Sequence, residues 1–200
     1  MGVKVISRPP DYAKAFGGGL APVMRKAAMY LQSSANKKIN GGISPANKPL
    51  TQEVKGGGQT LRDRGDLAMS ITPHSGDLWA DASTNLIYAR IQQEGGTVTP
   101  KNAKALWIPA SARVRTLMRS YGQSTPRGLI AVMEADGYKF FKPKSSKIYW
   151  AKKGKRGKEF PLFIIRKSVK IPPRPFLYID DQDETYILGL FRDGVAKALK

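Results

Sequence analysis

The sequence predicts an α+β fold in a single domain spanning residues 1–200. Its parts are an N-terminal helix, a small mostly antiparallel sheet with a short helix, a basic strand-rich insertion, and a C-terminal helix. Three observations predict it. Apolar residues recur at helical spacing near both ends, from Leu20 to Ile39 and from Ile187 to Leu199. Between them lie short apolar runs bounded by Gly, Asp and Pro, the pattern of strands and turns. Hydrophobic residues make up 41% of the chain, enough for an ordinary core, and there is no cysteine to brace it with disulfides.

Residues 1–19 read as an extended arm ending in Gly17-Gly18-Gly19. In the first helix Leu20, Val23, Met24, Ala27, Ala28, Leu31, Ala35 and Ile39 share one face, Pro22 fits the first turn, and Gly41-Gly42 stops it. Residues 41–60 are rich in Gly, Pro, Asn and Lys without periodicity and read as a long loop. A strand is predicted near Ala68–Thr72, a turn at Ser75-Gly76-Asp77, and a returning strand at Leu78–Asp81. Ser83-Thr84-Asn85 then offer capping side chains to a short helix from Leu86 to Gln93, closed by Gly95-Gly96. The insertion 101–170 reads mostly as strands: Ala105–Ile108, then Leu129–Ala135 and Tyr138–Phe141 as a hairpin about Asp136-Gly137. Ile148–Ala151 and Phe160–Val169 form a second hairpin, and residues 111–121 a helical turn. The final helix opens with Asp181 and Glu184 at capping-box spacing and carries Ile187, Leu190, Phe191, Gly194, Val195, Ala198 and Leu199 on one stripe.

Charge is unevenly spread. Lys and Arg number 34 against 15 Asp and Glu, and residues 101–174 alone hold 19 basic and 3 acidic side chains, +16 of the total +19. Lys142, Lys144, Lys147, Lys152, Lys153, Lys155, Arg156 and Lys158 concentrate there, so nucleic acid or an acidic protein surface is the expected partner. Tyr138, Phe140, Phe141, Tyr149 and Trp150 interleave with them. As base-stacking platforms they make a nucleic-acid-binding module using 101–170 the alternative reading; the simpler one places them in the core.

No reactive constellation is visible. The one histidine, His74, excludes any site needing two imidazoles and stands beside a turn. Glycine runs at 17–19 and 56–58 lack the Gly-Lys-Ser/Thr of a phosphate loop. Asp180-Asp181-Gln182-Asp183-Glu184 lacks the alternating ligands of a calcium loop and suits the start of a helix instead. Asp63 and Asp66, with Arg62 and Arg64 beside them, read as loop ion-pair partners. The expectation is no catalysis, no metal and no cofactor. No apolar run nears the ~20 residues of a membrane span, and Arg8-Pro9-Pro10-Asp11 stands where a signal peptide would be apolar. A soluble chain without an export signal is expected.

Three blocks in order carry a family likeness. The first runs from Pro49-Leu50-Thr51 through Gly56-Gly57-Gly58 to Leu61-Arg62-Asp63-Arg64-Gly65-Asp66-Leu67-Ala68-Met69-Ser70-Ile71. The second is Tyr88-Ala89-Arg90-Ile91-Gln92-Gln93-Glu94-Gly95-Gly96, with Gln92 where a histidine is usual, and the third Ile171-Pro172-Pro173-Arg174-Pro175-Phe176-Leu177. Together they resemble the phage virion morphogenesis family of Mu-like phages, the tail completion proteins, over about residues 20–100 and 169–199. The resemblance marks Asp63, Gly65, Leu67, Ser70, Ile71, Tyr88, Ala89, Gln92, Gly95, Arg174, Pro175, Phe176 and Leu177 as family-motif positions, with maintaining the fold as their first role. It implies a structural protein of the virion tail or neck, assembled in the bacterial host cytoplasm as a homo-oligomeric ring, with a hexamer the usual form. Its implied partners are tail tube, tail terminator or head-completion proteins, with contact to DNA in the channel and none to membrane.

Overall fold

A computed structural model of the chain describes residues 3–7 and 20–198. The fold is α+β, built from helices and small antiparallel sheets. The chain divides into two compact units: Met1–Ala46, Gln59–Gly96 and Pro172–Lys200 form unit one, and Asn47–Gly58 with Thr97–Ile171 form unit two. Unit two holds 20 basic and 4 acidic residues, a net +16, which leaves 14 and 11, or +3, for unit one.

Unit one is a three-stranded antiparallel sheet against two long helices. Strands β1 (Val3–Ser7), β2 (Thr72–Ser75) and β3 (Ala80–Thr84) run in the order β1-β3-β2. Helix α1 (Ala21–Gly41) starts with a proline in its first turn, is left through Gly42 at φ 81°, and buries Val23, Met24, Ala27, Ala28, Leu31, Ser34, Ala35 and Ile39. The expected face is therefore the buried one, with Ser34 added. Its alanines let it lie close on β3, whose Ala80 and Ala82 are also buried. The C-terminal helix packs on α1, with Ile187 buried and Leu190, Phe191 and Val195 partly so. Gly194 marks the tightest approach, since a Cβ there would collide with a methyl of Val23. Of the expected N-terminal arm, residues 3–7 pair with β3; its remaining residues, like Leu199, lie outside the described ones.

Unit two is a four-stranded antiparallel sheet in the order β5-β8-β7-β6: β5 (Leu106–Pro109), β6 (Tyr138–Phe141), β7 (Ile148–Lys153) and β8 (Glu159–Arg166). A separate pair joins β4 (Gly96–Val98) to β9 (Val169–Ile171). Helices α5 (Ala112–Ser120) and α6 (Pro126–Ala135) cover one face through Val114, Leu129 and Met133 against Ala151, Leu162 and Phe163. The register shift at Tyr149/Trp150 leaves Leu162 without an opposite residue on β7, and both Leu162 and Phe163 reach the core.

Several elements depart from the sequence expectation. Leu129–Ala135 is helix, not strand: Thr125 Oγ1 accepts from Gly128 N at 3.1 Å, Pro126 opens the first turn, and Leu129 and Met133 are buried four residues apart. Asp136-Gly137 then ends α6, with Gly137 at φ 82°, instead of turning a hairpin. The strand expected at Ala68–Thr72 is a short helix, α3 (Asp66–Met69), with β2 starting only at Thr72; Gly65 at φ 91° launches it and Ser70 Oγ donates back to Leu67 O. The returning strand falls at Ala80–Thr84, two residues later than expected, after a turn closed by Gly76 N donating to Trp79 O. The short helix, α4 (Ala89–Glu94), begins three residues late, because Thr84 Oγ1 accepts from Leu86 N and caps the preceding turn. Within the expected loop 41–60 stands α2 (Pro49–Lys55), ended by Gly56 at φ 76°. It buries no residue, so it leaves no apolar period in the sequence. The last helix, α7 (Asp181–Ala198), has its capping box one residue early: Asp180 Oδ1 accepts from Asp183 N and Asp183 Oδ2 from Asp180 N.

Candidate functional site

In unit one the later part of the first block, the second block and the third block from Pro172 converge. Leu67, Ile71, Ala89, Phe176 and Leu177 belong to one buried cluster with Leu31, Ile39 and Ile187. Gly95 at φ 73° stops α4, its N–H bonded to Ile91 O. Two residues before that stop, Gln93 reaches the third block. Its Oε1 accepts from Phe176 N at 2.8 Å and Leu177 N at 3.0 Å, and its Nε2 donates to Leu177 O at 2.9 Å. One side-chain amide thus takes the place of a strand partner for two buried residues. Gln92 contributes its carbonyl instead, accepting from Arg174 N at 2.8 Å. Arg174 is only 7% exposed, and donates from Nε to Pro45 O at 2.8 Å and from Nη2 to Ala46 O at 3.3 Å. Burial pulls its pKa below the usual guanidinium value. Ser70 Oγ lies 2.7 Å from Thr84 Oγ1, tying the first block to β3. Pro175 and Asp63 are exposed.

Not every motif residue is interior. Tyr88 is 43% exposed beside Ile87 at 95%, and Met69 of α3 is 74% exposed. Burial raises the Tyr88 hydroxyl pKa, with the charges of Asp66 and Asp63 adding to it, so the acids of the first block stand near this tyrosine. All three of these apolar side chains are exposed.

Sequence reasoning missed a polar hub between α1 and α7. Lys38 Nζ lies 2.6 Å from Asp183 Oδ2 and 3.0 Å from Asp180 Oδ2, and sits 3.8 Å over the Tyr178 ring. Burial alone would raise the Asp183 pKa, but hydrogen bonds from Lys38, Ser34 and the Asp180 backbone outweigh it and hold the carboxyl below its usual range. For Lys38 burial pulls down and the two carboxylates win, so its pKa is raised. Tyr30, stacked on Tyr186 at 4.0 Å, has its hydroxyl pKa raised by burial first and then by Asp183. The acids expected to serve only as a helix start therefore also hold a cation. Gln93 and this hub were hidden for one reason: helix register, not composition, decides which of two neighbouring polar residues points inward.

In unit two the basic residues spread around the second hairpin. Lys153 pairs with Asp136 at 3.1 Å and Lys152 with Glu159 at 3.7 Å. Tyr121 and Lys153 together lower the Asp136 pKa, the tyrosine contributing most. Lys142, Lys144, Lys147, Lys155, Arg156 and Lys158 are exposed and, among the described residues, join no ion pair. The interleaved aromatics separate by face. Tyr138, Phe140 and Tyr149 pack on the helix-covered core, while Phe141 and Trp150, opposite each other across β6 and β7, do not.

His74 Nδ1 lies 3.0 Å from Oδ1 of Asp81, which is 2% exposed, and 3.3 Å from Ser83 Oγ, on neighbouring strands. Among the described residues, no group of three or more His, Asp and Glu could hold a metal, and no helix is long and apolar enough to cross a membrane. The phage virion morphogenesis family matches this chain over residues 11–121. No match was found among the curated proteins or the solved structures.

Proposed function

This chain belongs to the phage virion morphogenesis family, which makes it a structural or assembly protein of a phage virion, and we propose that it is a tail-completion factor acting at the head–tail junction. In this reading copies close into a ring, a hexamer in the usual case, and meet tail tube, tail terminator or head-completion proteins. The family match over more than half the chain carries the proposal. Two features support it. Exposed Met69, Ile87 and Tyr88 offer apolar side chains to a head-to-tail contact between copies. A unit of +16 needs an acidic neighbour or channel DNA before such copies can gather. The test is light scattering and native mass spectrometry of the protein alone and with tail tube protein. Oligomers that join tails are expected; a strictly monomeric protein that never associates with tails would refute the reading.

The alternative, a nucleic-acid-binding module, draws on the charge of unit two. It requires duplex affinity that falls steeply with salt, the slope counting neutralised phosphates. Replacing Lys155, Arg156 and Lys158 by Gln is expected to leave stability within about 0.5 kcal/mol, since all three are exposed. Lost tail joining with unchanged DNA affinity would assign the tip to protein; the reverse would assign it to DNA.

A further inference from the structure

We propose that the open face of the unit-two sheet is a docking surface for an amphipathic helix of another virion subunit, a helix whose apolar stripe is flanked by carboxylates. The inference deepens the assembly reading by naming a surface and the chemistry of its partner. The strand pairings place two apolar rows on that face. Phe141, Trp150 and Pro161 run across β6, β7 and β8, and Ile148, Ile164 and Ile108 across β7, β8 and β5. None of the six belongs to the helix-covered cluster or packs against it. Phe141 is 37% exposed and the other five are half-buried.

Dimensions and charge choose the occupant. Two rows two residues apart along a strand are about 7 Å from each other, the width of the apolar stripe on a helix roughly 10 Å across. Beyond the aromatic row stand Lys139 and Lys152, directly opposite each other, and beyond the isoleucine row stands Arg166. Lys152 has Glu159 at 3.7 Å on the same rim, and Asp136 is engaged by Tyr121 and Lys153. Lys139 and Arg166, exposed on opposite rims, are the cations that carboxylates of a partner would meet. A nucleic acid would satisfy the lysines, but a row of isoleucines offers bases no ring to stack on. A helix carrying leucine or isoleucine between acidic flanks uses both rows and both rims.

The experiment uses the full chain and labelled synthetic helical peptides of three kinds: an apolar stripe flanked by Glu, the same stripe flanked by Lys, and a Glu-rich helix with no stripe. Single-stranded and duplex oligonucleotides are measured beside them, all at physiological salt. The Glu-flanked stripe is expected to bind at least about tenfold tighter than either other peptide, a difference of about 1.4 kcal/mol. Phe141→Ser with Trp150→Ser should remove that advantage while far-ultraviolet circular dichroism and a cooperative thermal melt verify the fold. Lys139→Glu with Lys152→Glu, which leaves the apolar rows intact, should shift preference toward the Lys-flanked peptide. Equal binding of the stripeless acidic helix would overturn the proposal, because charge alone would then explain it. So would an oligonucleotide that binds more tightly than the Glu-flanked stripe and is lost with the aromatic pair. Failure here is distinguishable from failure of the assembly reading. Wild-type protein joining tails, with the Phe141→Ser/Trp150→Ser variant joining equally well, sinks the docking face and spares the assembly role. Wild-type protein that never joins tails sinks the assembly role, and the peptides alone then judge the face.

Discussion

Gln93→Ala should damage unit one far more than Gln92→Ala, although the two residues are neighbours in the same short helix. The Gln93 amide accepts from Phe176 N and Leu177 N and donates to Leu177 O. Phe176 is 0% and Leu177 5% exposed, so water cannot replace the lost acceptor without opening the core. A buried backbone donor left unsatisfied costs about 1–3 kcal/mol. Two such donors sharing one acceptor, partly relieved by local shifts, put the total near 3–4 kcal/mol, a large share of the ~5–15 kcal/mol that holds an ordinary domain. Gln92 engages this joint through its main-chain carbonyl, which alanine keeps, so Gln92→Ala should stay within about 0.5 kcal/mol. Equilibrium urea unfolding followed by far-ultraviolet circular dichroism measures both. With a slope of about 1–2 kcal/mol/M, the Gln93→Ala midpoint should fall by roughly 2 M. Hydrogen exchange over residues 172–180 gives a second readout, since protection of the 176 and 177 amides should drop in Gln93→Ala alone. Equal midpoints for the two variants, or unchanged protection, would refute the claim that this side chain joins α4 to the third block.

The Lys38–Asp183 hub predicts a stability plateau with two edges. Asp183, with its pKa lowered, contributes stability above the unfolded carboxyl value of about 3.9 and loses it as pH falls through the folded value. Lys38, with its pKa raised, contributes below about 10.4 and loses its share as pH rises through the folded value. Asp183→Asn should therefore flatten the acid edge and cost about 3 kcal/mol at neutral pH, the lower end for breaking a buried pair because Asp180 stays beside Lys38. Urea midpoints from about pH 2 to about pH 12 on both proteins check this, and an acid edge that persists unchanged in the variant would assign it to other groups. The two helix glycines of α7 should respond oppositely to alanine. Gly194→Ala drives a methyl into buried Val23 and should destabilise by about 1–3 kcal/mol. Gly189→Ala meets open space and should stabilise by up to about 1 kcal/mol. Thermal melts decide both, and a Gly194→Ala protein as stable as Gly189→Ala would mean that α1 and α7 do not approach so closely.

Where one face of an element is buried against the rest, its period is written in the chain. The stripe from Leu20 to Ile39 is the packed face of α1, and Tyr138–Phe141 is the strand its alternation suggests. Elements whose identity rests on caps were harder to read. LeuIleAlaVal at 129–132 suits a strand or a helix equally by hydropathy, and Thr125 with Pro126 decided for helix. Helix α2 buries nothing, so only its terminal Pro49 and Gly56 announce it.

The linear order of residues by itself determined the α+β class, the concentration of positive charge in 101–170, the three motif blocks and hence the family. These depend on local periodicity and composition, which survive without knowledge of neighbours. Only the tertiary structure decided that Gln93 and not Gln92 clamps the third block, that Lys38 bridges two aspartates at the start of another helix, and that Phe141 and Trp150 part company from Tyr138, Phe140 and Tyr149. Each of those outcomes turns on a rotation of about 100° along a helix or 180° along a strand. A step of one residue reverses which side chain meets a partner many tens of residues away, and nothing local in the chain encodes where that partner will lie.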